Sequence, residues 1–429
     1  MISNKLKSVF GVIIGTVLEW YDFTLLGTMA PIFSVVFFPA KTPVFSLLAT
    51  YGAFAAGFLA RPLGGMLFGH IGDSVGRKSA LSLTISMMAL PTTLIGLMPS
   101  FHTIGILAPI FLIILRIIQG AAASGEYPGA ICILTEMAPA DRRGLWGSLS
   151  MFGVVGGILF GSLVNLIISR CLITEQIYAW GWRIPFLLGL PLGLIGWYLR
   201  SILPESDMFR SEKFLGNISK YPLTQVFRNN FPALCRVTLF FALGNISFYM
   251  GFVYIGAWLV SSMKSNFHET MISTSISTIF MMIMIPIFGY LSDRINRKHV
   301  MFAGALCLLI FFYPIFRWFC IGGNLILGQM LLALFVAMFV GPMAAISAEE
   351  FQTSLRYSGI SIGLNIGSTF FGGTCPLVAV WLVHYFNNEL VPGIYPPMIA
   401  FVCVLVLGLY KKDVNFQSVN KLRLAKQIV

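Results

Sequence analysis

The sequence predicts an all-α polytopic membrane protein, with about twelve membrane-spanning helices arranged as two six-helix pseudo-repeat bundles. Three observations carry the prediction. The 429-residue chain is 57% hydrophobic and only 10% charged. It contains twelve apolar runs near the ~20 residues that a helix needs to cross a bilayer. A polar turn motif occurs once in each half. Soluble domains carry about 25% charged residues, so a single water-soluble core of this length is excluded.

The apolar runs fall near 8–38, 44–70, 79–99, 103–135, 145–169, 183–203, 234–262, 270–291, 299–317, 322–348, 357–384 and 393–410. Glu19 and Asp22 interrupt the first run, which follows MISNKLK without an evident small-residue cleavage site. An uncleaved first helix is expected rather than a signal peptide. The second run holds Arg61, and the fourth holds Arg116 and Glu126. After the sixth comes the one long polar interval, 204–233. It divides the chain into an N-terminal bundle 1–203, a central loop 204–233, a C-terminal bundle 234–410 and a short basic tail 411–429. The seventh run is rich in aromatic residues and the eleventh holds Asn365.

Charge placement gives the expected orientation. With the N-terminus inside, 21 of the 28 lysines and arginines fall on the cytoplasmic side. The outer loops hold Lys41, Arg170, Arg183, Lys264 and Arg317, and Arg61 and Arg116 lie within spans. This asymmetry is that of the positive-inside rule and places both termini in the cytoplasm. The net charge of +12 is scattered between apolar runs, without the continuous basic stripe of a nucleic-acid binder. The seven cysteines form no C-x-x-C pair and have no metal-ligand spacing. No nucleophile constellation, phosphate loop or metal-ligand set points to an enzyme. No cofactor is expected. The expected partners are a small-molecule substrate, protons and the lipid bilayer, with a monomer as the working unit.

GHIGDSVGRKSAL (69–81) follows the second run and GYLSDRINRKHVM (289–301) follows the eighth. Both read G-x-x-x-D-x-x-x-R-K. A second echo follows: Glu136 precedes Arg143 by seven residues, and Glu349 precedes Arg356 by seven. Matching turns at equivalent places in two six-helix halves are the mark of a transporter built from parallel repeats.

These residues resemble the major facilitator superfamily, whose signature loop appears at Gly69, Asp73, Gly76, Arg77 and Lys78. LEWYDF (18–23), ARPLGG (60–65), RIIQGAAASGEYPGA (116–130), GWRIPFLLG (181–189) and EEFQTSLRYSGISIGLNIGSTFFGGTCP (349–376) are similar to its metabolite:proton symporter branch, which includes proline/betaine transporters. Ser74 and Asn296 depart from the loop pattern, standing where a basic residue and a glycine are usual. The resemblance implies the major facilitator fold, alternating access, and proton-coupled symport of a small polar metabolite in a bacterial-type inner membrane. Relatives carry zwitterions such as proline and betaine, or organic acids such as dicarboxylates, citrate and shikimate. An uncoupled facilitator or exchanger of the same fold is the remaining alternative.

Ionisable groups inside a membrane are functional by default. Glu19 and Asp22, spaced i, i+3, share one helix face, and Arg116 is expected to face both. Arg61 is expected to face Glu126. Three buried acids against two arginines would leave one carboxylate, Asp22 or Glu126, as the proton carrier. The C-terminal spans carry no mid-membrane charge, and that tilts the substrate toward a zwitterion. Their candidate cavity groups are Asn245, Tyr249, Tyr254 and Asn365, with Phe248, Phe252 and Trp258 as further aromatic faces for a quaternary ammonium. In the turns, Asp73 is expected to cap the eleventh helix, Arg77 to pair with Glu136, and Arg297 to pair with Glu349 or Glu350. Asp293, Arg294 and Lys78 complete the expected gating set, whose contacts, by resemblance, hold the outward-open form.

Overall fold

The computed structural model describes residues 2–40, 42–261 and 267–409. Lys41, Lys264 and the basic tail lie outside the described residues. Among the described residues the chain is helical, without a strand. With apolar side chains facing lipid, each backbone polar group must be satisfied within its own segment, and a helix does this.

Among the described residues, eleven helical segments are long and apolar enough to span a membrane. The 32-residue helix Pro43–Ser74, interrupted by Arg61, is the twelfth. The spans are α1 (Ile2–Thr28), α2 (Pro43–Ser74), α3 (Arg77–Leu97), α4 (Leu107–Met137), α5 (Arg143–Cys171) and α6 (Thr174–Ser201). They continue as α7 (Phe231–Tyr254, extended by Ile255–Ser261), α8 (Phe267–Arg294), α9 (Arg297–Cys320), α10 (Leu325–Glu349), α11 (Thr353–Phe386) and α12 (Val391–Leu409). Leu59, Leu63, Leu377 and Met398 stand exposed around the outside, as lipid-facing side chains do. The protein is a multi-pass membrane protein.

Local sequence accounts for the helix ends. Thr42 caps α2 by accepting from Phe45 N, and Asn324 caps α10 by accepting from Leu327 N. Gly76, before α3, has φ of 148°, a conformation that disfavours a side chain. Its counterpart Asn296, before α9, has φ of 173°, which is ordinary extended backbone, and its side chain caps Lys298 N at 3.0 Å. The departure from glycine in the second motif is thereby explained.

Three features differ from the sequence expectation. The first run breaks at Met29, with Pro31 starting a separate short helix, Ala30–Val36. The central loop folds into two short helices, Asp207–Phe214 and Pro222–Asn229. α6, α7 and α11 each contain a π-helical turn, at Ile177–Gly181, Tyr249–Tyr254 and Ser368–Gly373. Such insertions widen a helix locally and leave no hydropathy signal.

α1 packs on α5 and α6, α2 on α4, and α3 on α4 and α6, while α10 packs on α8 and α9, and α12 on α9 and α7. Between the first six spans and the last six, α2 meets α11, and α5 meets α8 and α10. The α2–α11 and α8–α5 contacts are equivalent under the sequence repeat. The end of the molecule that carries both repeated turns is called the motif end below.

Small residues let α1 and α5 approach closely. A Cβ on Gly157 would lie 2.8 Å from Trp20 Cβ and 3.0 Å from Tyr21 N, whereas one on Gly156 would meet nothing nearer than 3.7 Å. Gly157→Ala should lower the apparent melting temperature of the detergent-solubilised protein by several degrees, in line with the about 1–3 kcal/mol of an overpacked contact. Gly156→Ala should leave it unchanged. Equal effects would contradict this packing.

Candidate functional site

α1 places Gly15, Glu19 and Asp22 on one face, and three neighbouring helices each bring a buried arginine to it. Arg61 of α2 approaches Glu19, with Nη2 3.5 Å from Oε1. That contact is long for a hydrogen bond. Glu19 Oε2, Arg61 Nε and Nη2, and the indole nitrogen of Trp20 are buried without a hydrogen-bond partner. The Arg61 guanidinium lies 4.5 Å from the Phe23 ring centre and 5.1 Å from that of Phe58, within cation–π range.

Asp22 is held more completely. It accepts from Arg116 Nη1 of α4 at 3.1 Å, Gln119 Nε2 at 3.0 Å and Thr92 Oγ1 of α3 at 2.8 Å. The same Arg116 nitrogen donates to Gln119 Oε1 at 2.6 Å, so the arginine has a neutral acceptor besides the carboxylate. The third pair is Glu126 of α4 with Arg200 of α6. Both terminal nitrogens of Arg200 donate to the two carboxylate oxygens, Thr84 donates to Oε2 at 2.6 Å, and Arg200 also reaches the Leu81 carbonyl.

Three expectations are corrected here. Arg116 binds Asp22 while Glu19 goes to Arg61, because α1 turns the two acids toward different neighbours. Glu126 meets Arg200, not Arg61. Three acids therefore stand against three arginines, and the predicted uncompensated carboxylate does not arise. Arg200, in the last turn of α6, is fully buried, although hydropathy places it with the loop cations.

A cavity of about 30 Å³ lies between the first six spans and the last six. Its lining includes Glu19, Trp20, Arg61, Tyr127, Asn245 and Phe248. It is large enough for a water molecule or two and too small for a metabolite. Asn245 borders it and donates to Phe241 O and Ser368 Oγ, which ties the two widened helices α7 and α11 together. Tyr249 lies within electrostatic reach of Arg61 and Glu19. Two expected cavity groups lie elsewhere. Tyr254 is near Glu389, in the turn between α11 and α12. Asn365 donates to Ser124 O of α4 at 2.8 Å and Ser361 O at 2.7 Å. It is part of the contact between the halves and is absent from the cavity wall.

At the motif end that contact is dense. Asp73 accepts from Tyr357 N at 3.2 Å and Ser358 N at 2.8 Å, where α11 turns helical after Leu355. Unpaired backbone N–H groups and the helix dipole favour an anion there. Gly69 permits the approach, since a Cβ on it would lie 2.8 Å from Ser358 Cα. Arg77 binds Asp73 at 3.0 Å, Glu136 at 3.3 Å and the Thr353 carbonyl at 2.5 Å. Glu136 also takes Arg356 at 2.7 Å. The second copy repeats the pattern. Asp293 accepts from Gly144 N and Leu145 N at the start of α5, and Arg297 bridges Asp293 and Glu349. Glu350 pairs with Arg236. Arg294 is exposed and donates to Tyr290 instead, outside this seal.

Sequence reading missed Glu205. Its carboxylate accepts from Arg77 N and Lys78 N at the start of α3, while Lys78 Nζ donates to Ser201 O. Phe209 then lays its ring 4.5 Å from the Arg77 guanidinium. The signal available was an acid directly after Pro204, next to the loop that carries the motif. Thr92 and Gln119 were also missed; each is an uncharged residue in an apolar run.

Comparison with known proteins accords with this arrangement. The family model "Sugar (and other) transporter" matches residues 8–215, and "Major Facilitator Superfamily" matches 241–425. The glycine betaine/proline/ectoine/pipecolic acid transporter OusA of Dickeya dadantii is 36% identical over 419 residues, 95% of this chain and 83% of the relative. The proline/betaine transporter of Escherichia coli is 34% identical over 421 residues, with the same coverage. A solved structure of the proton:xylose symporter XylE bound to 6-bromo-6-deoxy-D-glucose superposes with a TM-score of 0.80 at 17% identity, covering 96% of each chain. At that identity the likeness concerns the fold.

Asp73 is the acceptor on which the α2–α11 contact turns. Ser361 is buried in the same contact, donating to Ser124 O at 3.0 Å. In a chain freed of its own cysteines, Ser361→Cys should react with N-ethylmaleimide several-fold faster when Asp73→Asn is added. An unchanged rate would show that the seal does not depend on this carboxylate.

Proposed function

The chain belongs to the major facilitator superfamily, in its metabolite:proton symporter branch, and from that premise we propose that it is a proton-coupled symporter of a small zwitterion such as proline or betaine. The halves 1–203 and 234–410 are the moving bodies, working as a monomer in a bacterial-type inner membrane with both termini cytoplasmic. One observation carries the zwitterion reading. The cavity is bordered by one carboxylate and one guanidinium, held loosely together and each with unmet hydrogen-bonding capacity. A zwitterion offers a carboxylate for Arg61 and an ammonium for Glu19, and its quaternary form suits the rings of Trp20, Tyr127 and Phe248. A dicarboxylate would meet Glu19 as a like charge, which disfavours the organic-acid alternative.

The pairs divide the work. Glu19 and Arg61 bind substrate, and Asp22 takes the proton. When Asp22 is protonated, Arg116 Nη1 keeps Gln119 Oε1 as a hydrogen-bond acceptor. Glu126 is gripped by both terminal nitrogens of Arg200; on its protonation Nη1 would keep the Leu81 carbonyl but Nη2 would lose its acceptor, and Glu126 is set aside as the carrier. Alternating access then consists of breaking the motif-end seal and reforming it. Asp73 and Asp293 release the helix starts they cap, and the Arg77–Glu136 and Arg297–Glu349 pairs separate.

The test is uptake of radiolabelled proline, glycine betaine and a dicarboxylate into proteoliposomes at two pH values. Uptake of a zwitterion, stimulated by an inward proton gradient, is expected. Dicarboxylate uptake alone, or uptake indifferent to the gradient, would overturn the proposal. Arg61→Gln should weaken proline affinity by roughly 10- to 100-fold, as loss of a charge-assisted hydrogen bond does; unaltered affinity would remove Arg61 from the binding site. Asp22→Asn should abolish gradient-driven accumulation while proline counterflow persists. Equal loss of both would assign Asp22 to binding instead.

A further inference from the structure

The face of α1 that carries Glu19 and Asp22 has a third neighbour, with no part in binding substrate or carrying the proton. Gly15 lies four residues before Glu19 and seven before Asp22, on the same face. A Cβ there would overlap the Arg200 guanidinium and stand 2.6 Å from Glu126 Oε1. The missing side chain is a notch in which the Glu126–Arg200 pair lies directly against α1.

The pair is 1% and 0% exposed, so water screens its field little. Both members act on Glu19 through space, with opposite sign. A void of about 10 Å³, lined by Gly15, Tyr21, Thr92 and Glu126 among others, separates the pair from the hydroxyl that binds Asp22. The charged and titratable groups facing Glu19 and Asp22 are Arg61 of α2, Arg116, Glu126 and Tyr127 of α4, Arg200 of α6, Tyr249 of α7 and Tyr21 of α1. Tyr357 of α11 faces the Glu126–Arg200 pair. α3 contributes the hydroxyls of Thr84 and Thr92, and α5 meets α1 through Gly153, Gly157 and Gly161. The three acids and three arginines of this group sum to zero charge.

We infer that Glu126 and Arg200 are positioning residues for the proton-loading step: seated in the Gly15 notch, they keep the group of charges along α1 neutral and so set the pH at which uptake is half-maximal. The inference rests on the proton-coupled reading above. It predicts effects of opposite sign from the two members. Glu126→Gln strips Arg200 of its counter-charge, makes the group positive by one, and hinders addition of a proton, so the midpoint moves to lower pH. Arg200→Gln leaves the Glu126 charge unopposed and moves it to higher pH. Each shift is roughly one pH unit, the effect of a unit charge about 10 Å away at an effective dielectric of about 20. The double variant removes both charges and returns the midpoint toward the wild-type value.

The experiment is uptake of radiolabelled proline into proteoliposomes across the acid-to-neutral range, for the wild type, both single variants and the double. Opposite shifts with recovery in the double support the inference. Unmoved midpoints, or shifts in one common direction, overturn it and reduce the pair to a packing role. A wild type whose uptake ignores pH overturns the proton-coupled reading itself, whatever the variants do. Should the single variants not fold, Gly15→Ala keeps every charge and forces the pair from its notch. A moved midpoint is then expected, and an unmoved one overturns the inference.

Discussion

Glu19, Asp22 and Glu126 lie where water hardly reaches, and a carboxylate in such a place is held only by a counter-charge and hydrogen bonds. The first six spans are organised around that requirement. α2, α4 and α6 each deliver one arginine to α1 or to the acid beside it. Removing one partner of such a pair costs about 3–5 kcal/mol, enough to fix the order of the helices around α1. The three solutions are unequal. Asp22 and Glu126 have nearly complete shells of donors, whereas Glu19 and Arg61 touch at 3.5 Å and keep unmet polar atoms. Only this incomplete pair borders the cavity, and it therefore retains binding capacity for a ligand.

The motif end answers a different demand. Helix starts that meet across the two halves need anions, and Asp73 and Asp293 supply them by the same geometry in each copy. These contacts are hydrogen bonds and ion pairs between helix ends. Glu205 and Phe209 extend the first copy into the central loop, which couples that loop to the seal. Inside the membrane the last six spans rely on uncharged groups such as Asn245 and the buried Gln329–Ser273 contact. The halves thus differ in chemistry although they share an architecture.

Much of this was legible in the sequence. The twelve spans follow from apolar run length, the pseudo-symmetry from the repeated turns, and the Asp73 cap and the Arg77–Glu136 pair from charge placed where helices begin and end. Matching depths in two helices bring Arg116 to the acids of α1, but do not show that it takes Asp22 and leaves Glu19 to Arg61. What was not legible depends on rotation about helix axes, which depth does not reveal. Glu19 and Asp22 are one turn apart yet face different helices, and Asn365 faces α4 rather than the cavity. Arg200 sits at a helix end, where hydropathy sorts cations into loops, and only the packed structure brings its guanidinium back inside to Glu126.

The central claim is that protons move with substrate through a site whose fixed charges already balance. Adding unlabelled proline or glycine betaine to lightly buffered proteoliposomes, with a pH dye outside and no imposed gradient, tests it most directly. The account predicts prompt external alkalinisation in step with substrate entry, lost when Asp22 becomes asparagine. Entry of substrate with no change in external pH would contradict it.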